Sequence, residues 1–313
     1  MKKTAFVFPG QGTQFVGMGK DMYNNFPEAR KVFEIASEKL HMDMAKLCFE
    51  SSEHELLQTQ NQQPAIHTVE IAILRVIEKY NIAPFVTAGF SLGEYGALVC
   101  AHSIDFQDSV QLVQKRGVLM QNALPEGIGK MLSISGLSSD TVMNIVQECS
   151  KIALIECSNF NCPGQIIVSG YKEAVEAAQV MANKLGAKST SFLKVSGPFH
   201  TSLLRECGNK LRKELDKIQI NQPSINFIPN VTAKQYLPED DLLNLLDLHV
   251  SKAVLWEDSI RTMMDLGVHT FLEIGPTGSL SKFNQRTIDV QNYHADIFHI
   301  QDLQGLENFL KVM

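Results

Sequence analysis

The chain has 313 residues, 44% of them hydrophobic and 20% charged, a composition that excludes disorder, a collagen-like repeat or a coiled coil as the main architecture. At roughly 150 residues per domain this length predicts about two domains, or one large domain carrying an insertion. With 28 basic against 34 acidic residues the net charge is −6, so no net basic field is available for nucleic acid or an anionic membrane surface. The six cysteines, Cys48, Cys100, Cys149, Cys157, Cys162 and Cys207, form no CxxC pair and suggest neither a metal site nor a disulfide framework. Ala5–Phe8 is too short for a signal-peptide core of about 7–15 residues, and no uncharged run reaches the ~18 of a membrane span. The cytoplasm is the expected compartment.

Apolar strand-like runs alternate with longer amphipathic patterns, the signature of an α/β protein with a mostly parallel sheet. Thr4–Phe8 is predicted as a first strand, ending in the turn Pro9-Gly10-Gln11-Gly12. Phe26–Leu40 and Gln62–Tyr80 are predicted helices, the second with Ala65, Ile66, Val69, Ile73, Val76 and Ile77 at helical spacing. Phe85–Gly89 reads as a short strand, followed by a glycine-bounded turn, a helix from about Gly93 and another over Phe106–Leu124. After Pro125-Glu126-Gly127 the rhythm changes to strand Met131–Leu137, helix Asp140–Cys149, strands Ile152–Cys157 and Gln165–Ser169, helix Tyr171–Leu185 and strand Ser191–Val195. That βαββαβ order is the ferredoxin-like arrangement. The remainder predicts a helix near Leu203–Ile218, a strand at Ile225–Ile228, a helical stretch over Asp240–Leu266, a strand at Thr270–Ile274 and a last helix from Leu303. The expected architecture is a large α/β-hydrolase-like domain (residues 1–123 and 193–313) with an inserted ferredoxin-like subdomain (residues 124–192).

Gly89-Phe90-Ser91-Leu92-Gly93 is a G-x-S-x-G pattern between a predicted strand and a predicted helix. Small residues on either side of the serine let the chain turn sharply enough to expose its hydroxyl. The N-terminus of the next helix favours the oxyanion that forms when a carbonyl is attacked. A serine nucleophile needs a base, and of nine histidines the best placed is His200, in Gly197-Pro198-Phe199-His200 between a strand and a helix. His41, His54, His67, His102, His269, His294 and His299 read as solvated surface residues. Arg116 falls inside a predicted helix, where it is either solvated or a planar fork aimed at a carboxylate; periodicity does not choose. Neither Gly10-Gln11-Gly12 nor the Ser91 loop completes a nucleotide-binding glycine pattern.

Taken in order, these motifs resemble the malonyl-CoA:acyl-carrier-protein transacylases, including the discrete acyltransferases that serve polyketide synthases. The resemblance spans nearly the whole chain. It rests on Phe8-Pro9-Gly10-Gln11-Gly12-Thr13-Gln14, Gln63-Pro64-Ala65, Gly89 to Tyr95, Lys115-Arg116-Gly117 with Met120-Gln121, Pro125-Glu126-Gly127, Asn159-Phe160-Asn161 with Pro163-Gly164-Gln165, Gly197 to His200, Asn230-Val231-Thr232 and Glu273-Ile274-Gly275-Pro276.

The resemblance implies a ping-pong transfer of malonyl from coenzyme A to the phosphopantetheine thiol of an acyl carrier protein, without metal or redox cofactor. Ser91 would be the nucleophile and His200 its base, with the N–H groups of Gln11 and Leu92 holding the oxyanion. Arg116 would clamp the malonyl carboxylate, and Phe199 would crowd an α-methyl branch. Two positions depart from the family pattern. Phe90 stands where most relatives have histidine, and His249 replaces the glutamine that orients the catalytic histidine, with Ala253 for a proline ahead of Val254-Leu255-Trp256. If the family's contact is that residue's backbone carbonyl, the swap is harmless; if it is the side chain, His249 adds a titratable group beside His200.

The rival readings are an acyl hydrolase of the same fold, against which Arg116 argues, a generic α/β-hydrolase esterase, and an inactive carrier-protein-binding homologue. Retention of Ser91, His200, Gln11 and Arg116 counts against the last. An acidic carrier protein calls for a local basic patch, for which Lys194, Lys210, Arg212 and Lys213 are candidates, although a solvated helix face is the simpler reading of them.

Overall fold

The computed structural model describes residues 3–312. Its strands are β1 (Thr4–Phe8), β2 (Val86–Gly89), β3 (Gly129–Ser135), β4 (Ile155–Cys162), β5 (Gln165–Tyr171), β6 (Ser189–Phe192), β7 (Asn226–Phe227), β8 (Val254–Leu255), β9 (Thr270–Ile274) and β10 (Asp296–Ile300). They form two five-stranded sheets. The first, in the order β10-β9-β1-β2-β7, is parallel throughout. A parallel sheet covered on both faces needs strands that are apolar on both faces, and β1, buried throughout, meets this from Ala5 to Phe8. Ala5 and Val7 join a cluster with Trp256, Ile260 and Phe271. Phe6 and Phe8, pointing the opposite way, join another with Ile66, Val69 and Tyr95.

The second sheet runs β6-β3-β5-β4-β8. Its first four strands are antiparallel neighbours and carry helices Ser139–Cys149 and Lys172–Lys184 between them, in βαββαβ order. They enclose a core of their own, including Leu132, Val142, Ile145, Val168 and Val175. The fifth strand, β8, comes from residues beyond that stretch and pairs in parallel with β4 through Asn159–Val254 and Phe160–Leu255. This pairing joins the two sheets' territories at one edge.

Several elements differ from the sequence expectation. The helical stretch over Asp240–Leu266 is two helices, Leu242–His249 and Trp256–Asp265, separated by β8. Local propensity does not reveal this break, because β4 supplies the partner that draws Val254–Leu255 into a sheet. Leu203–Ile218 starts as a 3-10 turn, Ser202–Leu204, and continues as the shorter helix Arg205–Leu215. The predicted strand Ser191–Val195 lies at Ser189–Phe192, where its pairing with β3 stops at Leu132–Phe192. β10, the helix Ser279–Val290 and three short helices between Lys20 and Leu56 have no counterpart among the elements expected from the sequence. His67 is fully buried and its Nε2 lies 2.8 Å from Ser109 Oγ, so it is a core residue and not a surface one. His299 is likewise engaged, with Nε2 2.9 Å from the Gly275 carbonyl.

Candidate active site

The turn from β2 into helix Gly93–Cys100 is made by packing. A Cβ on Gly89 would fall 1.9 Å from the Gly93 carbonyl, and one on Gly93 would fall 2.1 Å from the Phe8 carbonyl. Both glycines of the G-x-S-x-G pattern are therefore steric requirements. Between them Ser91 takes a left-handed conformation with φ 52°, which costs a non-glycine residue about 1–3 kcal/mol. Its N–H donates to Asn230 Oδ1 at 2.7 Å, which anchors the strained turn.

Ser91 Oγ lies 2.8 Å from His200 Nε2. The other ring nitrogen, Nδ1, faces two backbone carbonyls, His249 at 2.9 Å and Lys252 at 3.2 Å. Carbonyls only accept, so Nδ1 carries the proton and the Nε2 lone pair points at the serine hydroxyl. The His249 carbonyl is available because helix Leu242–His249 ends there and the last carbonyls of a helix have no partner within it, and Lys252 lies in the turn that follows. Burial first, and the nearby Arg116 charge second, push the His200 pKa down from 6.5 to about 4.

Arg116, in helix Phe106–Gln121, is fully buried. Its Nη1 donates to Gln63 Oε1 at 2.7 Å and its Nη2 to Ser91 Oγ at 3.1 Å. The guanidinium lies 5.6 Å from the centre of the Tyr95 ring, and its Nε has no partner among the described residues. Gln63 Nε2 in turn donates to Gln11 Oε1 at 3.3 Å. The sequence alternatives for Arg116 are thereby decided: the fork points inward.

Beside Ser91 opens a cavity of about 250 Å³, whose walls include Gln11, Phe199 and His200 on one side and Met131, Asn161 and Ile167 of the second sheet on the other. Leu92 and Arg116 are fully buried behind the lining. The backbone N–H groups of Gln11 and Leu92 donate to no protein acceptor among the described residues. No cluster of His, Cys, Asp or Glu able to hold a metal occurs among them, and none of their helices is long and apolar enough to cross a membrane.

A family model described as acyl transferase domain matches residues 5–310. A curated malonyl CoA-acyl carrier protein transacylase of Bacillus subtilis (strain 168) is 40% identical over 311 residues, covering 97% of this chain and 98% of that protein. The chain belongs to the malonyl CoA-acyl carrier protein transacylase family. A crystal structure of such a transacylase from Clostridium perfringens matches with a TM-score of 0.95 at 40% identity, over 99% of this chain and 96% of that one. A malonyl-transacylase solved in complex with a type II PKS acyl-carrier protein matches with a TM-score of 0.95 at 35% identity, over 99% and 100% of the two chains.

The geometry shows what this family member's two departures do. The Phe90 ring packs against Trp256 and Phe283, with centroids 5.8 and 6.3 Å away, and so forms an apolar wall of the cavity. His249 meets His200 through its backbone carbonyl, while its own ring is fully buried and 5.5 Å from the His200 ring. Burial, then Arg116 and His200, hold the His249 pKa well below the ordinary 6.5, so it adds no titration near neutral pH.

Three residues of the site received no role from the sequence: Gln63, Asn230 and Glu94. Asn230 and Glu94 are polar residues in a turn and in an otherwise apolar segment, which is the signal that was available; Gln63, at the end of the polar run from Thr59, carried none. Glu94 Oε2 accepts the Asn230 N–H at 2.8 Å. Of the basic candidates, Lys194, Lys210 and Lys213 are exposed, whereas Arg212 donates to Asp216 at 2.8 Å.

Adding a methyl group at Gly93 drives it into the Phe8 carbonyl, so Gly93→Ala should destabilise by about 3 kcal/mol or more, read by urea denaturation. Burial also raises the pKa of Glu273 from 4.5 to about 7 and that of Glu94 to about 8. Their protonated forms favour the fold, a contribution fully present below pH 4.5 and lost as pH rises to about 8. His67 and His200 act with the opposite sign but only below 6.5, their ordinary value. The melting temperature should therefore fall between pH 6.5 and about 8 in scanning calorimetry, and Glu94→Gln should flatten that slope.

Proposed function

We propose that this chain transfers malonyl from malonyl-CoA to the phosphopantetheine thiol of an acyl carrier protein, in the cytoplasm, through an ester on Ser91 and without a metal or redox cofactor. The observation that carries the reading is the convergence on one atom: Ser91 Oγ is 2.8 Å from the base nitrogen and 3.1 Å from a buried guanidinium. The relatives' names supply the malonyl, coenzyme A and carrier-protein terms.

In the first half-reaction Ser91 Oγ attacks the thioester carbonyl and its proton passes to His200 Nε2. The oxyanion is held by the free N–H groups of Gln11 and Leu92. Collapse breaks the C–S bond, and His200 returns the proton to the departing coenzyme A sulfur. The second half runs in reverse: His200 takes the proton of the carrier thiol, the sulfur attacks the ester, and Ser91 regains its hydroxyl. His200 works without an acidic partner because two carbonyls already fix its tautomer.

Arg116 sets the acyl class. With Ser91 esterified, a malonyl carboxylate gives the buried cation a counter-ion, whereas acetyl leaves it with neutral partners only. This weighs against a hydrolase of neutral acyl groups. Phe199, nearly fully buried in the cavity wall, crowds a branch at the α-carbon. Residues 1–123 with 193–313 form the catalytic domain in this reading, and residues 124–192 the subdomain that roofs the cavity. Lys194, Lys210 and Lys213 are the basic residues offered to the carrier protein.

Intact-protein mass after brief mixing with malonyl-CoA should show a malonyl-sized gain that Ser91→Ala abolishes, with little gain from acetyl-CoA or methylmalonyl-CoA. No adduct from malonyl-CoA would sink the proposal. Arg116→Ala should cost malonyl transfer about 3–5 kcal/mol, or more than ~10²-fold in kcat/KM, while sparing acetyl. Because His200 stays neutral down to about pH 4, the acylation rate should be flat from neutral pH to near pH 5 in stopped-flow assays and decline only below.

A further inference from the structure

We propose that the side chain of His249 is a positioning residue for the nucleophile, acting through Asn230, in addition to its backbone contact with His200. Asn230 is fully buried, and its Nδ2 donates to the Gly89 carbonyl at 2.5 Å. That bond fixes the amide's orientation, so Oδ1 faces the Ser91 N–H at 2.7 Å. The same oxygen lies 3.1 Å from His249 Nε2. An amide oxygen only accepts, so His249 Nε2 carries a proton and donates it there. His249 is therefore the Nε2–H tautomer and His200 the Nδ1–H tautomer, although their rings sit side by side.

The consequence is a closed circuit. From the His249 carbonyl it runs to His200 Nδ1, from His200 Nε2 to Ser91 Oγ, from the Ser91 N–H to Asn230 Oδ1, and from that oxygen back to His249 Nε2. One residue thus holds the base with its backbone and the nucleophile's backbone with its ring. A purely backbone role would accept any residue at this position; the circuit demands a donor at the height of Asn230 Oδ1. Glu94, whose Oε2 takes the Asn230 N–H, locks the asparagine from its other side. Burial and the Arg116 cation, with the neutral His200 ring alongside and Glu94 Oε2 3.8 Å from its Nε2, make a neutral donor the form of His249 that fits. The strain at Ser91 gives this positioning its purpose: a nucleophile held at φ 52° relaxes away from its base if the amide that anchors it is free to turn.

The inference rests on the acyl-transfer reading, but its first test does not. In protein labelled with ¹⁵N-histidine, NMR should show His249 as neutral Nε2–H and His200 as neutral Nδ1–H from about pH 5.5 to 8. An Nδ1–H or doubly protonated His249 in that range would overturn the proposal whatever the enzyme's substrate. The second test is stopped-flow acylation by malonyl-CoA. His249→Leu, similar in bulk and with the backbone carbonyl retained, should acylate about 10-fold more slowly with KM within about twofold. His249→Gln, whose amide can still donate to Asn230, should recover to within about threefold of the parent rate. Acylation by His249→Leu at the parent rate would refute the side-chain role; should that variant not fold, the tautomer measurement still decides. Failure of the parent chain itself to acylate would count against the malonyl reading and not against the circuit.

Discussion

Ser91 stands at φ 52° because β2 must hand the chain to helix Gly93–Cys100 within three residues while Gly93 presses on the Phe8 carbonyl of the neighbouring strand. The rest of the site is arranged around holding that turn. Asn230, three residues past β7, takes the Ser91 N–H, and Glu94, in the first turn of the helix after Ser91, takes the N–H of Asn230. The parallel sheet makes this possible, since β1, β2 and β7 bring their carboxyl ends to one edge, where α/β folds collect ligand-binding residues. Strain stored in the turn is offset by the fully buried packing of β1 and β2 beneath it.

The site's electrostatics follow from how dry it is. Arg116 is buried against Gln63, Tyr95 and Ser91 without a carboxylate in hydrogen-bond contact, so its charge acts on every neighbour through a medium that screens poorly. Together with burial, the larger cause, it disfavours protonation of both His200 and His249, which leaves His200 able to accept a proton. Burial acts the other way on carboxyls: Glu94, in spite of Arg116, and Glu273 keep their protons to unusually high pH, and Glu70, both of whose oxygens lack partners among the described residues, is raised by burial and by Glu273. A cation beside Ser91 whose hydrogen-bond partners are neutral leaves room for one more negative charge. The malonyl carboxylate is that charge in the proposed reaction.

The second sheet contributes the far wall of the cavity and, through β8, an edge tied to the first sheet's chain. The same break that releases Val254–Leu255 to pair with β4 ends helix Leu242–His249, and the carbonyls freed there orient His200. Sheet pairing and base orientation are therefore two results of one interruption in the chain.

The sequence by itself determined the fold class and offered Ser91 as a candidate nucleophile, with His200 as the best placed of nine histidines. Period-two and period-3.6 patterns are local, and glycines flanking a strand-to-helix serine are a local steric demand. It also carried Arg116, Gln11, Leu92, Phe90, Phe199 and His249 as named positions, through motif resemblance. What only the tertiary structure decided were the facts that depend on distant partners. Arg116 points inward because Gln63 and Ser91 wait for it on other elements. Asp240–Leu266 is interrupted because β4 is there to pair with. His67 is a core residue because Ser109, on a neighbouring helix, meets its ring. The exact tautomers of His200 and His249 were likewise beyond the sequence, since each is dictated by an acceptor that folding delivers from elsewhere: a helix end for one, and the amide of Asn230 for the other.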